Sequence, residues 1–265
     1  MNPLQATILG LVQGVAEFLP ISSSGHLIVF RSILGLGEVP VLFDVLLHLS
    51  TLAAVCLVFR KTIARLCVSL FRFAAGKADD AVRADMGIVV ALLVGSAATA
   101  AIGYFINKID LEGQPKIVAG LLIVTAAILC LNLFFKGRKP LSRIGWKEGL
   151  IVGAAQGIGV FPGISRSGIT ITAANIAGID REGSGEFSFL LSIPAILGAF
   201  VLKLHDATGL GAQVAPLEIA IAMAVSFVIG VISLLLLKRL IKKGVLAWFA
   251  LYLVPAGLAG IFFLG

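Results

Sequence analysis

One stretch of this chain is written twice. From Gln13 the sequence reads QGVAEFLPISSSGH, and from Gln156 it reads QGIGVFPGISRSGIT. Displaced by 143 positions, Gln13 falls on Gln156, Gly14 on Gly157 and Phe18 on Phe161, while Ile21, Ser22, Ser24 and Gly25 fall on Ile164, Ser165, Ser167 and Gly168. A match at one fixed offset without gaps implies two related halves, about 1–140 and 141–265, within a single domain. The differences carry as much information. Glu17 stands opposite Val160, Ser23 opposite Arg166 and His26 opposite Ile169, so one copy holds the acid and the imidazole and the other holds the cation.

The surroundings of these segments define the class. Hydrophobic residues make up 59% of the chain and charged residues 13%, with a mean hydropathy of +1.07. Soluble domains carry about a quarter charged residues, so the composition is that of an all-α polytopic membrane protein. Cys56, Cys67 and Cys130 are odd in number and share no metal-ligand spacing, which argues against a disulfide framework or a zinc site. The first residues lack a basic region ahead of the first apolar run, so no cleaved signal peptide is expected.

Six apolar runs, roughly 40–59, 86–106, 115–135, 187–205, 217–237 and 246–264, are long enough to cross about 30 Å of hydrocarbon. The two repeated segments are not. Pro, Gly and Ser divide each into pieces of about 3–19 and 26–36, and 147–161 and 168–179, too short to span at about 1.5 Å per residue. Re-entrant helix-loop-helix hairpins are the natural reading. The net charge of +7 does not point to nucleic acid, because the cations sit in membrane connections: Arg60 to Arg83, Lys136 to Lys147, Lys238 to Lys243, and Arg181. By the positive-inside rule these connections are cytoplasmic and meet anionic lipid head groups, while the turns around Glu38, Asp110 and Asp206 face outward. Six spans fit those assignments only if the hairpins enter from opposite faces. The expected fold is therefore an inverted repeat, each half one re-entrant hairpin plus three transmembrane helices.

An inverted repeat brings its broken helices together near the bilayer midplane, where irregular backbone survives only against protein or a water-filled cavity. A carboxylate buried there costs several kcal/mol and is a functional hypothesis by default. The second loop, PGISRSGIT, combines helix-start amides, hydroxyls and an arginine, which suits phosphate; Gly163 and Gly168 let the backbone approach a ligand closely. In the first loop Glu17 and His26 flank the serines, and a turn at Pro20 could join them, with Gln13 one helical turn before Glu17. Carboxylate, imidazole and hydroxyl in a dry pocket are the parts of acid/base or nucleophilic attack on phosphorus. The alternatives are structural: a capped, kinked helix in the second copy, and a Glu–His pair acting as helix glue in the first. His48, Asp44 and Glu186 read as membrane-edge residues, Glu186 and Ser188 as the cap of the following span, and His205 as water-facing. Trp146, Trp248 and Tyr252 read as interfacial anchors, the last two equally as residues packed within a span.

At these residues the chain resembles the undecaprenyl pyrophosphate phosphatase family of the bacitracin-resistance type. That family's (Glu/Gln)xxxGlu-FLPxSSxGH motif is matched by Gln13, Glu17 and Phe18 to His26, and its PGxSRSxxT motif by Pro162 to Thr170. One alternative is used, Gln13 where many members have Glu, which removes a paired-acid metal site. The resemblance implies release of the terminal phosphate from a C55 polyprenyl pyrophosphate, regenerating the lipid carrier of cell-wall synthesis at the bacterial inner membrane, with a pocket opening to the periplasmic side. It implies a divalent cation, Mg²⁺ or Ca²⁺, with Glu17 as a ligand. It also implies Glu17, Ser23, His26 and Arg166 as catalytic residues, with Gln13, Ser22, Ser24, Gly163, Ser165, Ser167, Gly168 and Thr170 binding substrate. It does not say whether Ser23, His26 or water attacks phosphorus. The rival reading is an inverted-repeat transporter or flippase, which would bind an anion in the same loops without hydrolysing it.

Overall fold

The computed structural model describes residues 1–36, 39–106, 108–109, 111, 114–204 and 214–263. The turns centred on Glu38, Asp110, Glu112 and Asp206, together with His205, lie outside the described residues. Among the described residues the chain forms eleven α-helices: α1 (Pro3–Ala16), α2 (Ser23–Ile33), α3 (Val41–Val58), α4 (Arg60–Ala74), α5 (Asp80–Ile106), α6 (Pro115–Cys130), α7 (Trp146–Ile158), α8 (Arg166–Ile176), α9 (Arg181–Leu204), α10 (Pro216–Lys243) and α11 (Ala250–Phe263). The only β-type bridge among them is a single parallel one between Lys139 and Ile179.

Five stretches, α5, Pro115–Leu133, Arg181–Leu202, α10 and Leu246–Phe263, are long and apolar enough to cross a membrane; α3 joined to α4 makes a sixth, bent by 76° at Phe59. Their outward faces carry Leu93, Phe105, Val201, Ile232, Leu251 and Phe262, all exposed. A soluble monomer rarely exposes so continuous an apolar surface, and in hydrocarbon it costs nothing. The protein is a multi-pass membrane protein. Residues 60–74, read above as part of a basic connection, form helix α4, which seats Leu66 and Ser69 inward; the Ser69 hydroxyl donates to Asp85 of α5 at 2.7 Å.

Small residues set the closest crossings. Along α7, Gly149 and Gly153 lie so near α5 that an added Cβ would stand 2.2 Å from the carbonyl oxygens of Ala91 and Gly95 respectively. Along α1, Gly10 and Gly14 approach Ala222, Ser226 and Ile229 of α10 in the same manner. Gly10 and Gly14 are the repeat partners of Gly153 and Gly157. With little hydrophobic drive between helices in lipid, such backbone approach is what holds them together. Gly153→Ala is therefore expected to cost roughly 1–3 kcal/mol by overpacking, read as a lower midpoint of thermal unfolding in detergent. An unchanged midpoint would contradict the crossing.

The repeated segments are broken helices. In the first, α1 starts under an Asn2–Gln5 capping box with Pro3 at its first position, and ends at Glu17. Pro20 has no N–H to give and disfavours helix at Leu19, so the chain turns over 17–21 and restarts under Ser22. In the second, α7 ends at Gly159 and α8 restarts under Ser165, after Gly163 at a φ of 94°. A Cβ on Gly163 would stand 2.3 Å from the Val118 carbonyl, so the position is closed to other residues on two grounds.

Candidate active site

The two ISxSG loops adopt the same local chemistry. Ser22 Oγ accepts from the Gly25 N–H and lies beside Ser24 Oγ; Ser165 Oγ accepts from the Gly168 N–H and lies beside Ser167 Oγ. In each copy the serine caps the new helix at its third residue, which accounts for Ser at the start of each helix. The loops also touch. The Gly163 N–H donates to Ser22 Oγ at 3.1 Å, across 141 residues of sequence, and Thr125 of α6 locks the second loop by accepting from the Ser165 N–H and donating to the Gly163 carbonyl, both at 3.0 Å. Ser22 sits at a φ of 71°, a left-handed conformation costing a non-glycine residue about 1–3 kcal/mol. The strain falls where the two loops meet.

Glu17 is the centre. Its side chain is 3% exposed, and both oxygens are held. Oε1 is paired with the guanidinium of Arg166, which comes from the other half of the chain. Oε2 accepts from the Ser23 hydroxyl at 2.8 Å and from Gln13 Nε2 at 3.1 Å, and lies 3.0 Å from His48 Nδ1. Phe18 anchors this end of α1, edge-on to Phe189 with ring centroids 5.7 Å apart, over Gly230. Burial of a carboxylate is tolerable only with such a set of donors.

A cavity of about 220 Å³ opens beside this cluster. Glu17, Ser22, Ser23, Ser24, Ser165 and Arg166 supply its polar end. Val45, Val160, Ile164, Ala195, Ile196 and Ala199 give it an apolar side, and His48, Thr99 and Gln156 also line it. The first N–H groups of α2 and α8, orphaned by helix geometry, belong to residues at the polar end. Hydroxyls, helix-start amides and a guanidinium around one space are groups that can hold an anion, and the apolar side of the cavity could take a chain attached to it.

The other residues singled out in the sequence stand one layer behind. Gly163 and Gly168 donate to the capping serines, Ser167 braces Ser165, and the Thr170 hydroxyl bonds the Arg166 carbonyl at 2.7 Å and also Ser188. Gln13 reaches the site through Glu17. His26 is not brought to Glu17. On α2 its Nδ1 meets the Ser22 carbonyl at 2.8 Å and its Nε2 meets the Tyr252 hydroxyl of α11 at 2.6 Å, in a separate apolar groove with Val29, Leu122 and Ala256. Neighbours in sequence, Glu17 and His26 emerge from different helices with the loop between them. Asp44, in the first turn of α3, pairs with Arg31, and Glu186, near the start of α9, accepts from Thr62. Ser188 is internal to α9 and caps nothing.

Two residues of the site were missed. Gln156, the counterpart of Gln13, is buried on the cavity wall, its Nε2 donating to Thr99 and to the Leu191 carbonyl at 3.2 Å each; the repeat alone could have nominated it. His48 turns inward to Glu17 and Gln13 from the middle of α3. The signal was an ionisable residue near the middle of an apolar run rather than at its edge.

A membrane protein whose two broken helices meet at a cavity lined by hydroxyls, with a buried carboxylate bonded to a serine hydroxyl and an arginine, has the makings of a phosphate-handling membrane enzyme. The family model described as bacitracin resistance protein BacA matches residues 6–259, and the chain belongs to that family. It is 46% identical to a protein of Treponema denticola named undecaprenyl-diphosphatase, covering all of this chain and 99% of that one. Proteins of the same name from Geobacter metallireducens and Desulfatibacillum aliphaticivorans are each 38% identical, covering 100% and 95% of this chain and 99% and 95% of their own lengths.

Proposed function

We propose that this protein is an undecaprenyl-diphosphatase of the bacterial inner membrane, hydrolysing C55 polyprenyl diphosphate to the monophosphate and inorganic phosphate and so recycling the lipid carrier of cell-wall synthesis. The observation that carries the reading is the Ser23–Glu17–Arg166 cluster at the polar end of a cavity with an apolar wall. The names of the relatives agree with it. The diphosphate binds between the loop amides, the serine hydroxyls and Arg166, with the first isoprene units along the apolar wall. Ser23 already donates to Glu17 Oε2, so the carboxylate is placed to take the hydroxyl proton as Oγ attacks the terminal phosphorus. The Oγ–P bond forms, the P–O bond to the bridging oxygen breaks, and polyprenyl phosphate leaves. Water then displaces the serine with the proton returned by Glu17. His26 holds the serine loop through the Ser22 carbonyl. Transport would need no proton acceptor on Ser23, and that pairing favours hydrolysis over the flippase reading. Detergent-purified protein is expected to release inorganic phosphate from the C55 diphosphate; binding without release would favour transport.

A divalent cation, Mg²⁺ or Ca²⁺, fits this site only in the company of the substrate. Among the described residues no three of His, Cys, Asp and Glu converge, and Glu17 is the single carboxylate at the cavity. Mg²⁺ is commonly held by one or two carboxylates together with substrate phosphates. Glu17 would hold the ion, and the ion would supply positive charge to offset that of the phosphate oxygens.

The two halves form one inverted repeat about the site, with α4 added to the first. Three features support this: the repeated motif, the twin serine caps, and the exchange in which α1 packs on α10 while α5 packs on α7. The cavity opens to the outer face. Val45 and His48 come from the first half of α3, which starts on that side, while Ala195 and Ala199 come from the later part of α9, which starts at the basic side with Arg181. In a background lacking the three cysteines, Ser32→Cys is expected to react with an impermeant thiol reagent from outside and Ser142→Cys only from the cytoplasm. Labelling of both from one side would refute the inversion.

A further inference from the structure

The cluster contains an imidazole, and it is His48. Gln13 Nε2, Glu17 Oε2 and His48 Nδ1 form a triangle with edges of 2.9, 3.0 and 3.1 Å. The side chains of Gln13 on α1 and His48 on α3 both come within 3.1 Å of one carboxylate oxygen of Glu17. His48 is also open to the cavity: its side chain is 30% exposed, against 3% for Glu17, and it lines the wall with Ser23 and Arg166. A histidine that merely reached for the membrane surface would not turn its ring into this triangle.

The division of labour at Glu17 gives the ring a task. Oε1 is held from one half of the chain by Arg166, and Oε2 is held from the other by Ser23 and by Gln13, whose Nε2 also donates to His48 Nδ1. A diphosphate entering the cavity competes for the guanidinium, because a phosphate offers it a bidentate, doubly charged partner. Once Arg166 turns to the phosphate, Oε1 loses its tether. A buried carboxylate freed at one oxygen can rotate about its last bond, and Oε2 would leave the Ser23 hydroxyl. The contacts to Oε2 are what prevent that rotation.

We propose that His48 is a positioning residue for hydrolysis: by accepting from Gln13 it fixes the amide that keeps Glu17 Oε2 on the Ser23 hydroxyl after the substrate has drawn Arg166 away. This rests on the phosphatase reading. His48 acts through Glu17 and not on phosphorus, so its removal lowers kcat and leaves substrate binding, which belongs to Arg166 and the loops, nearly unchanged.

The test is the kinetics of phosphate release from C55 polyprenyl diphosphate by the full-length protein in detergent, with thermal unfolding measured for each variant. His48→Leu is expected to lower kcat roughly 10- to 100-fold with KM within about threefold, the scale of loss for a reacting group misplaced by about an ångström. His48→Asn places an amide near the site of Nδ1 and is expected to recover most of that loss, which a packing role would not permit. In a Glu17→Gln background, His48→Leu is expected to add little, since there is then no carboxylate left to position. Should His48→Leu fail to fold, His48→Ala against His48→Asn carries the same comparison. Wild-type kcat in a folded Leu or Ala variant, a loss confined to KM, or a full additional loss on top of Glu17→Gln would overturn the proposal. A parent protein that releases no phosphate would overturn the phosphatase reading and this one with it; an active parent with indifferent His48 variants would overturn this one alone.

Discussion

Arg166→Lys is expected to hydrolyse polyprenyl diphosphate at least about 100-fold more slowly than the parent protein, although the charge is kept. Arg166 starts α8 behind the Ser165 cap, its carbonyl is held by Thr170, and its guanidinium reaches across to Glu17 of the other half. That placement lets one planar fork face a carboxylate in the resting protein and two phosphate oxygens in the complex. An ammonium on a lysine stem offers no matching pair of parallel donors, and it is more strongly hydrated, so it enters a buried pair at greater cost. Thermal unfolding of the variant in detergent separates lost chemistry from lost folding. Near-parental turnover in a folded Arg166→Lys would sink the bidentate role.

Glu17→Gln is expected to lower phosphate release by at least roughly 100-fold, the usual scale for removing a general base. The substitution keeps shape and size but exchanges one acceptor oxygen for a donor. The amide cannot take the Ser23 proton, and it would leave Arg166 without its anionic partner in the resting state. A guanidinium freed in this way is more available to phosphate. KM is therefore expected to fall or hold while kcat collapses. Loss of affinity with kcat preserved would contradict the assignment of Glu17 as base.

The parts of this molecule that were legible in the sequence are those where local chemistry and position coincide. Two serine loops could be found because the same motif is written twice at one offset, and each Ser proves to cap the helix that follows. The breaks at Pro20 and at Pro162–Gly163 followed from backbone rules, with the flanking helices ending within three residues of expectation on the α1 and α7 sides. Helix α4 was read as a connection because its cations drew the attention, although Thr62, Ile63, Leu66 and Ser69 recur at helical spacing and form its inner face. The imidazole that packs beside Glu17 is His48 and not His26, for the opposite reason. His26 is nine residues from Glu17 in sequence but belongs to the helix after the loop, where the Ser22 carbonyl and Tyr252 hold its ring. His48 is remote in sequence and sits among leucines, and only the packing of α3 beside α1 delivers it. Linear proximity to a motif is a poor guide once the chain has turned a corner.

That two halves of the chain build one site is tested most directly by a double-mutant cycle on the pair they share. Phosphate release would be measured for Glu17→Gln, Arg166→Ala and the combined variant, each shown to be folded. If base and anion clamp act as one unit on one phosphorus, removing the second leaves little more to lose, and the combined variant is expected within about tenfold of the slower single variant. Independent sites would multiply the two losses, to a total of at least roughly 10,000-fold on the single-variant scales given above, and that result would contradict a shared site.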